Sequence, residues 1–243
     1  KYKYFIGNWK MYGDSSSIKI INLVNNYINK IKIKKIKVIF CIPNTLINHF
    51  SNKFKKSNIS IGAQNCHPLQ KYGPYTGSIN SKMIKNAGAN YVIIGHSENR
   101  IEGDTDKIIN NKIKSAINNK LNVIFCIGET LKQRKQNNTN KILSIQIDKG
   151  LSLVKSLKKV IISYEPVWSI GSGIIPSHKE LTKTVSFIKY KLNKKFKSKH
   201  SINIIYGGSV NVNNIKELNV VQNINGFLIG GASQSGKKFI DII

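Results

Sequence analysis

The stretch Y-V-I-I-G-H-S-E, residues 91–98, carries the reading of the fold in miniature. Four apolar residues run unbroken, a glycine ends them, and polar and ionisable residues follow. A run so short and so continuously apolar predicts a strand covered on both faces, as in a parallel sheet. The pattern recurs in both directions along the chain. The runs are Tyr4–Ile6, Val38–Ile42, Ile59–Gly62, Tyr91–Ile94, Val123–Ile127, Val160–Ser163, Ile204–Tyr206 and Gly226–Ile229. Their starts are spaced roughly 20–45 residues apart, room enough for a helix between each pair.

Helical periods fill those gaps. Ile18, Ile21, Val24, Ile28 and Ile31 share one face behind Ser15–Ser17, which are placed to cap a helix. Ile109, Ile113, Ala116 and Ile117 follow Asp104 and Asp106, and Leu181, Val185, Ile188 and Leu192 follow Ser177. Asn211 and Ser233 are placed to cap the last two helices. Eightfold strand–helix alternation predicts an α/β fold, an eight-stranded parallel (β/α)8 barrel, with a doubly wound open sheet as the structural alternative. No linker or composition break interrupts the chain, so residues 1–243 are expected to form a single domain.

Composition narrows the function classes. With 243 residues and 40% hydrophobic content, a disordered chain is excluded. No apolar run approaches the ~18 residues of a membrane helix, and the opening KYKYFIGNWKM has no signal-peptide h-region. A soluble protein outside the secretory route is expected. Three cysteines, Cys41, Cys66 and Cys126, form neither a disulfide framework nor a zinc motif, which favours reducing cytoplasm. Lys and Arg number 39 against 11 Asp and Glu, a net charge of +28. That charge raises nucleic-acid binding as a function. Arginine, however, stands only at positions 100 and 134, and the lysines are dispersed. The Lys, Ile and Asn excess fits A/T-rich codon usage, so no specific nucleic-acid site is expected.

In a parallel barrel the site is built at the C-terminal ends of the strands. There the chain places Gly7-Asn8-Trp9-Lys10, Gly95-His96-Ser97-Glu98, Gly128-Glu129, Glu165-Pro166-Val167-Trp168, Gly207-Gly208-Ser209 and Gly230-Gly231-Ala232-Ser233. The last two turns suit a phosphate cradle, because glycines let backbone N–H groups approach an anion and a following helix start adds positive partial charge; each alone also suits a plain tight turn. Glu165, in a chain poor in acids, fits a general base or a structural salt bridge. His96 fits a neutral hydrogen-bond donor or a structural histidine. Lys10 beside Asn8 fits a fixed cation for an anionic substrate, or one lysine among many.

Taken together, F-I-G-N-W-K-M (5–11), A-Q-N-C (63–66), G-P-Y-T-G (73–77), I-I-G-H-S-E-N-R (93–100), F-C-I-G-E-T (125–130), Y-E-P-V-W-S-I-G-S-G (164–173), Y-G-G-S-V (206–210) and G-F-L-I-G-G-A-S (226–233) are similar to the triosephosphate isomerase family, over essentially the whole chain. The resemblance implies interconversion of dihydroxyacetone phosphate and D-glyceraldehyde 3-phosphate through an enediolate, in glycolysis and gluconeogenesis, without cofactor or metal. It implies Glu165 as base, neutral His96 as electrophile and proton shuttle, and Lys10 with Asn8 as anion stabilisers. Glu98 would support the polar network under His96 and Lys10, and Cys126 would play a supporting part. Gly171, on a lid spanning Pro166–Pro176, would contact the substrate phosphate alongside Ser209, Gly230 and Gly231. The 73–78 loop would enter a pocket of a second copy near Lys10, making a homodimer.

The chain departs from the family's usual residues at Ser78, Asn99, Asn225 and Lys189, where Glu, Arg, Asp and Arg are common. It departs again at the far lid hinge, Ile174-Ile175-Pro176. Arg100 is expected to need guanidinium geometry, as a structural pair near the active-site end. A different sugar-phosphate barrel enzyme would be expected to lack the quartet Asn8, Lys10, His96 and Glu165.

Overall fold

In the computed structural model, which describes residues 2–32, 35–197 and 202–243, all eight apolar runs are strands. They are β1 (Lys3–Asn8), β2 (Ile36–Cys41), β3 (Ile59–Ala63), β4 (Tyr91–Ile94), β5 (Asn122–Ile127), β6 (Val160–Tyr164), β7 (Asn203–Tyr206) and β8 (Gly226–Ile229). The order is sequential and the ring closes, with every neighbour parallel. The open-sheet alternative is thereby excluded. β1 runs two residues past its apolar core because Gly7 and Asn8 still pair with Phe40 and Cys41 of β2.

Closure depends on a glycine. Tyr4 pairs with Gly226 across the β1–β8 seam. Gly226 has φ +147°, and a Cβ there would lie 1.9 Å from the Tyr4 carbonyl oxygen. Only a residue without Cβ lets the last strand meet the first.

Successive strand residues alternate between two apolar layers. Tyr4, Ile6, Ile39, Ile93, Ile124 and Leu228 are among those that fill the barrel interior. Phe5, Phe40, Phe125 and Ile162 face outward into the helical shell. Burial on both faces is why the strands read as unbroken apolar runs rather than alternating ones.

The shell helices follow the expected faces. Helix α1 (Ile18–Ile31) buries Ile21, Val24 and Ile28. Helices α2 (Asn44–Lys53), α3 (Ser81–Asn86) and α4 (Ser97–Ile101) precede α5 (Asp106–Asn118), which buries Ile109, Ile113 and Ala116. After α6 (Leu131–Lys135) and α7 (Thr139–Gly150), α8 (His178–Phe196) buries Leu181, Val185, Ile188 and Leu192. The short α9 (Ile215–Asn219) and α10 (Gly236–Ile242) complete the chain.

The caps differ from expectation at several ends. Ser177 caps α8 with Glu180 as its reciprocal partner, as read. Ser15–Ser17 instead form a 3-10 turn capped by Asp14, which leads into α1. Asp106 opens the first turn of α5, as read, behind a Thr105 cap, while Asp104 just before it pairs with Lys112 at 2.7 Å. Asn211 caps the turn before α9 through the N–H groups of Asn213 and Asn214. Ser235 caps α10, while Ser233 is buried and donates to the Gly230 carbonyl. Each displaced cap is one side-chain oxygen away from a second candidate, and local sequence does not rank the two.

The departures from common family residues leave no stranded charge. Lys189 donates to Asn223 at 2.6 Å. The buried Asn225 side chain accepts the Ile204 N–H at 3.1 Å. Asn99 donates to Glu102, and Ser78 is exposed.

All three thiols are buried. Burial pushes Cys66 from an ordinary 9.0 up to about 12, and the phenols of Tyr91 and Tyr206 from 10.0 up to about 12. The unfolded chain therefore releases these protons first. Between those values the folded state binds more protons, so stability falls as pH rises. Urea midpoints should drop steadily from about pH 9 to about pH 12, and a thiol reagent should find no reactive cysteine until the protein unfolds. A constant midpoint with prompt labelling of a thiol in the native state would contradict this burial.

Candidate active site

The rim at the C-terminal ends of the strands gathers the polar residues. Asn8 ends β1, and Lys10 follows it in a left-handed turn (φ +55°) with its N–H donating to Asn8 Oδ1 at 3.1 Å. That turn aims the Lys10 ammonium across the rim, where Nζ meets Glu98 Oε1 at 2.6 Å. Glu98 lies in the first turn of α4, two residues after His96, which is 5% exposed.

The backbone fixes the His96 tautomer. The Glu98 N–H donates to Nδ1 at 3.3 Å. Nδ1 therefore accepts, and the ring of a neutral imidazole carries its proton on Nε2. Nδ1 also lies 3.5 Å from Glu98 Oε2, but pairing there needs a proton on the nitrogen whose lone pair the backbone N–H already occupies. Nε2 faces Glu165 Oε2 at 3.6 Å.

Glu165, directly after β6, is 2% exposed, and neither carboxylate oxygen receives a protein hydrogen bond. A structural salt bridge would show a cation at contact; here the neighbours are His96 and the Cys126 thiol. Burial, then the adjacent Glu165, pushes that thiol well above its ordinary range. Two glycines make room for Glu165. A Cβ on Gly128 would lie 1.7 Å from the Glu165 carbonyl oxygen, and one on Gly207 would lie 2.7 Å from its Cγ. An unpaired buried carboxylate is costly, and such groups concentrate where proton transfer is done.

Beside these residues lies a cavity of about 310 Å³, lined by Asn8, Lys10, His96, Gly171, Ser209, Gly230 and Gly231 among others. Glu165 does not itself line this cavity; it lies 3.6 Å from Nε2 of His96, whose ring does. Among the described residues, the N–H groups of Gly171, Gly230 and Gly231 donate to no protein carbonyl. The Ser209 N–H is already given to Ser169 Oγ at 3.2 Å, so Ser209 offers its hydroxyl instead. The elements behind the glycine turns are a five-residue helix and a four-residue 3-10 turn. An anion placed here would meet individual N–H groups and Lys10 rather than a long helix dipole. A larger cleft of about 570 Å³, bounded by Tyr2, Lys32, Lys35 and Tyr91, opens at the opposite strand ends and holds none of the candidate residues.

The segment 166–176 covers the cavity with Ile170 and Gly171. Gly171 and Gly173 both have positive φ, at +69° and +78°. Ser169 anchors the segment, its hydroxyl 2.9 Å from Tyr206 Oη and donating to the Ile174 carbonyl at 2.5 Å. Sequence reasoning missed this anchor and the cavity-lining Lys238, and it placed the fully buried Glu129 at the rim without giving it a role. Glu129 accepts from Tyr164 Oη at 3.2 Å and from Trp168 Nε1 at 3.3 Å. The signal for Glu129 was the one used for Glu165: an acid at a strand end in an acid-poor chain. Arg100 behaves as expected, donating to the Gly95 carbonyl at 2.8 Å and to Asp106 at 2.8 Å.

The family model described as "Triosephosphate isomerase" matches residues 3–243. Curated relatives of that name include one from Bartonella henselae, 36% identical over 98% of this chain and 94% of its own. Another, from Carboxydothermus hydrogenoformans, is 38% identical over 99% of this chain and 97% of its own. The crystal structure of the Bartonella henselae triosephosphate isomerase superposes with a TM-score of 0.91 at 35% identity, covering 99% of this chain and 97% of that one. With the barrel and its rim already described, these matches over nearly its whole length establish that the chain is an isomerase belonging to the triosephosphate isomerase family.

Proposed function

We propose that this chain interconverts dihydroxyacetone phosphate and D-glyceraldehyde 3-phosphate through an enediolate, serving glycolysis and gluconeogenesis. The observation that carries the reading is the buried Glu165 carboxylate, free of protein hydrogen bonds and 3.6 Å from His96 Nε2. Glu165 takes the proton from the carbon beside the carbonyl and returns it to the neighbouring carbon. His96 donates from Nε2 to the carbonyl oxygen and moves a proton between the two oxygens. Lys10, oriented by Glu98 and Asn8, sits opposite the negative charge that grows on oxygen, which favours the transition state over the substrate. The unused N–H groups of Gly171, Gly230 and Gly231, with the Ser209 hydroxyl, hold the phosphate. The 166–176 segment excludes water and so protects the enediolate from losing phosphate. The reaction redistributes protons only and needs no cofactor.

The same reading takes residues 1–243 as one catalytic domain working in the cytoplasm. No helix among the described residues is long and apolar enough to cross a membrane. It also takes the enzyme to be a homodimer through the 73–78 loop. Met11 and Ile101 are 95% and 83% exposed, and the cleft beside Lys10, about 520 Å³, has room for a loop from a second copy.

Shortening the base tests the chemistry. In Glu165→Asp the carboxylate retreats by one methylene, and a coupled isomerase assay should show kcat reduced by about 100-fold or more with little change in KM, since ~1 Å of misplacement costs about that much. A variant within about threefold of wild type would overturn the assignment. The dimer carries its own test. Two copies of +28 repel over a Debye length that grows as salt falls, so sedimentation should show dissociation at low ionic strength. A dimer unchanged down to a few millimolar salt, or a monomer throughout, would contradict the expectation.

A further inference from the structure

Arg134 stands in α6, outside the cavity, yet it touches both bases of the segment that covers it. Its Nη1 donates to Glu129 Oε1 at 3.3 Å. Its guanidinium lies over the Trp168 ring, 4.9 Å from the centroid. Glu129 in turn holds Trp168 through the indole N–H and Val167 through its carbonyl, at 3.0 Å. These contacts fix the N-terminal base of segment 166–176. The Arg134 Nη2 meets Glu180 Oε1 at 2.7 Å. The other Glu180 oxygen accepts the Ser177 N–H at 3.0 Å and its hydroxyl at 2.7 Å. Ser177 directly follows Pro176, so this second contact fixes the C-terminal base.

We propose that Arg134 is a positioning residue that ties the two bases of the 166–176 lid together and thereby sets how readily the lid covers a bound phosphate ester. One planar cation does this because its nitrogens diverge: one serves each carboxylate while the flat face stacks on Trp168. A lysine ammonium is a single point charge and holds one base at a time. In a chain whose other cations are otherwise lysines except Arg100, both arginines occupy sites where a fork serves two separated groups. Ends held at fixed separation leave the segment fewer open arrangements, so the covering state with Gly171 on the cavity needs less ordering when ligand binds. The kinetic form of this inference rests on the isomerase reading above; its binding form does not.

Glu180→Gln is the decisive variant. Glutamine at this position keeps the reciprocal cap with Ser177 but removes the charge that Arg134 holds. Arg134→Lys keeps the charge and removes the fork. Trp168 supplies the signal, since the only other tryptophan, Trp9, is 1% exposed in the core. The probe is glycerol 3-phosphate, which has the substrate's phosphate ester but no carbonyl to isomerise. Both variants should shift the emission of the free protein and raise the glycerol 3-phosphate midpoint about threefold to tenfold. KM should rise by the same factor, with kcat changing less and the pH profile of kcat/KM keeping its wild-type midpoint. Wild-type emission, midpoint and KM in a folded Glu180→Gln variant would overturn the tie, as would a fall in kcat with KM unchanged. If Arg134→Lys does not fold, Glu180→Gln decides alone. Lack of isomerase activity in the wild type would count against the proposed reaction, while the fluorescence titration still decides the tie.

Discussion

Closure of the parallel ring is the constraint on which the rest depends. β1 bonds to both β2 and β8, and every strand points the same way. All eight C-terminal ends therefore meet on one rim. Residues separated by most of the chain, such as Asn8 and Gly231, become neighbours around one small cavity. The seam tolerates this only because Gly226 presents no Cβ to the Tyr4 carbonyl. Two apolar layers, inside and outside the barrel wall, supply the burial that holds the rim rigid.

A rigid rim makes an unpaired carboxylate possible. Left to relax, buried Glu165 would find a cation or water; the protein holds the nearby rim lysine, Lys10, on Glu98 instead. The imidazole of His96 is likewise committed by a backbone N–H on one nitrogen, which leaves the other facing the carboxylate. The site is thus arranged by denying partners as much as by supplying them. Its preorganisation has a cost in stability that the two-layer core offsets.

The strands were legible because burial on both faces writes itself as unbroken apolar runs, and the rim was legible because polar and glycine residues cluster after those runs. Helix faces read correctly for the same periodic reason. Caps did not: Asp14 and Ser235 took the roles expected of neighbours, because several side-chain oxygens compete near each helix start. The supporting contacts were also illegible. Glu129, Arg134, Tyr206 and Ser169 act through groups roughly 5 to 50 positions apart, and no local period encodes such meetings. Lys238 was hidden among many lysines. The departures at Lys189 and Asn225 could be seen in sequence, but only the structure gives their new partners, Asn223 and the Ile204 backbone.

The central claim is geometric: one cavity serves the phosphate at its glycine turns and the reacting carbons between Glu165 and His96. A crystal structure with glycerol 3-phosphate bound tests it most directly. The account predicts the phosphate against the N–H groups of Gly171, Gly230 and Gly231, with the carbon chain running toward His96 Nε2 and the Glu165 carboxylate. An ester seated in the lysine-bordered cleft at the opposite strand ends, or one whose carbons point away from Glu165, would contradict it.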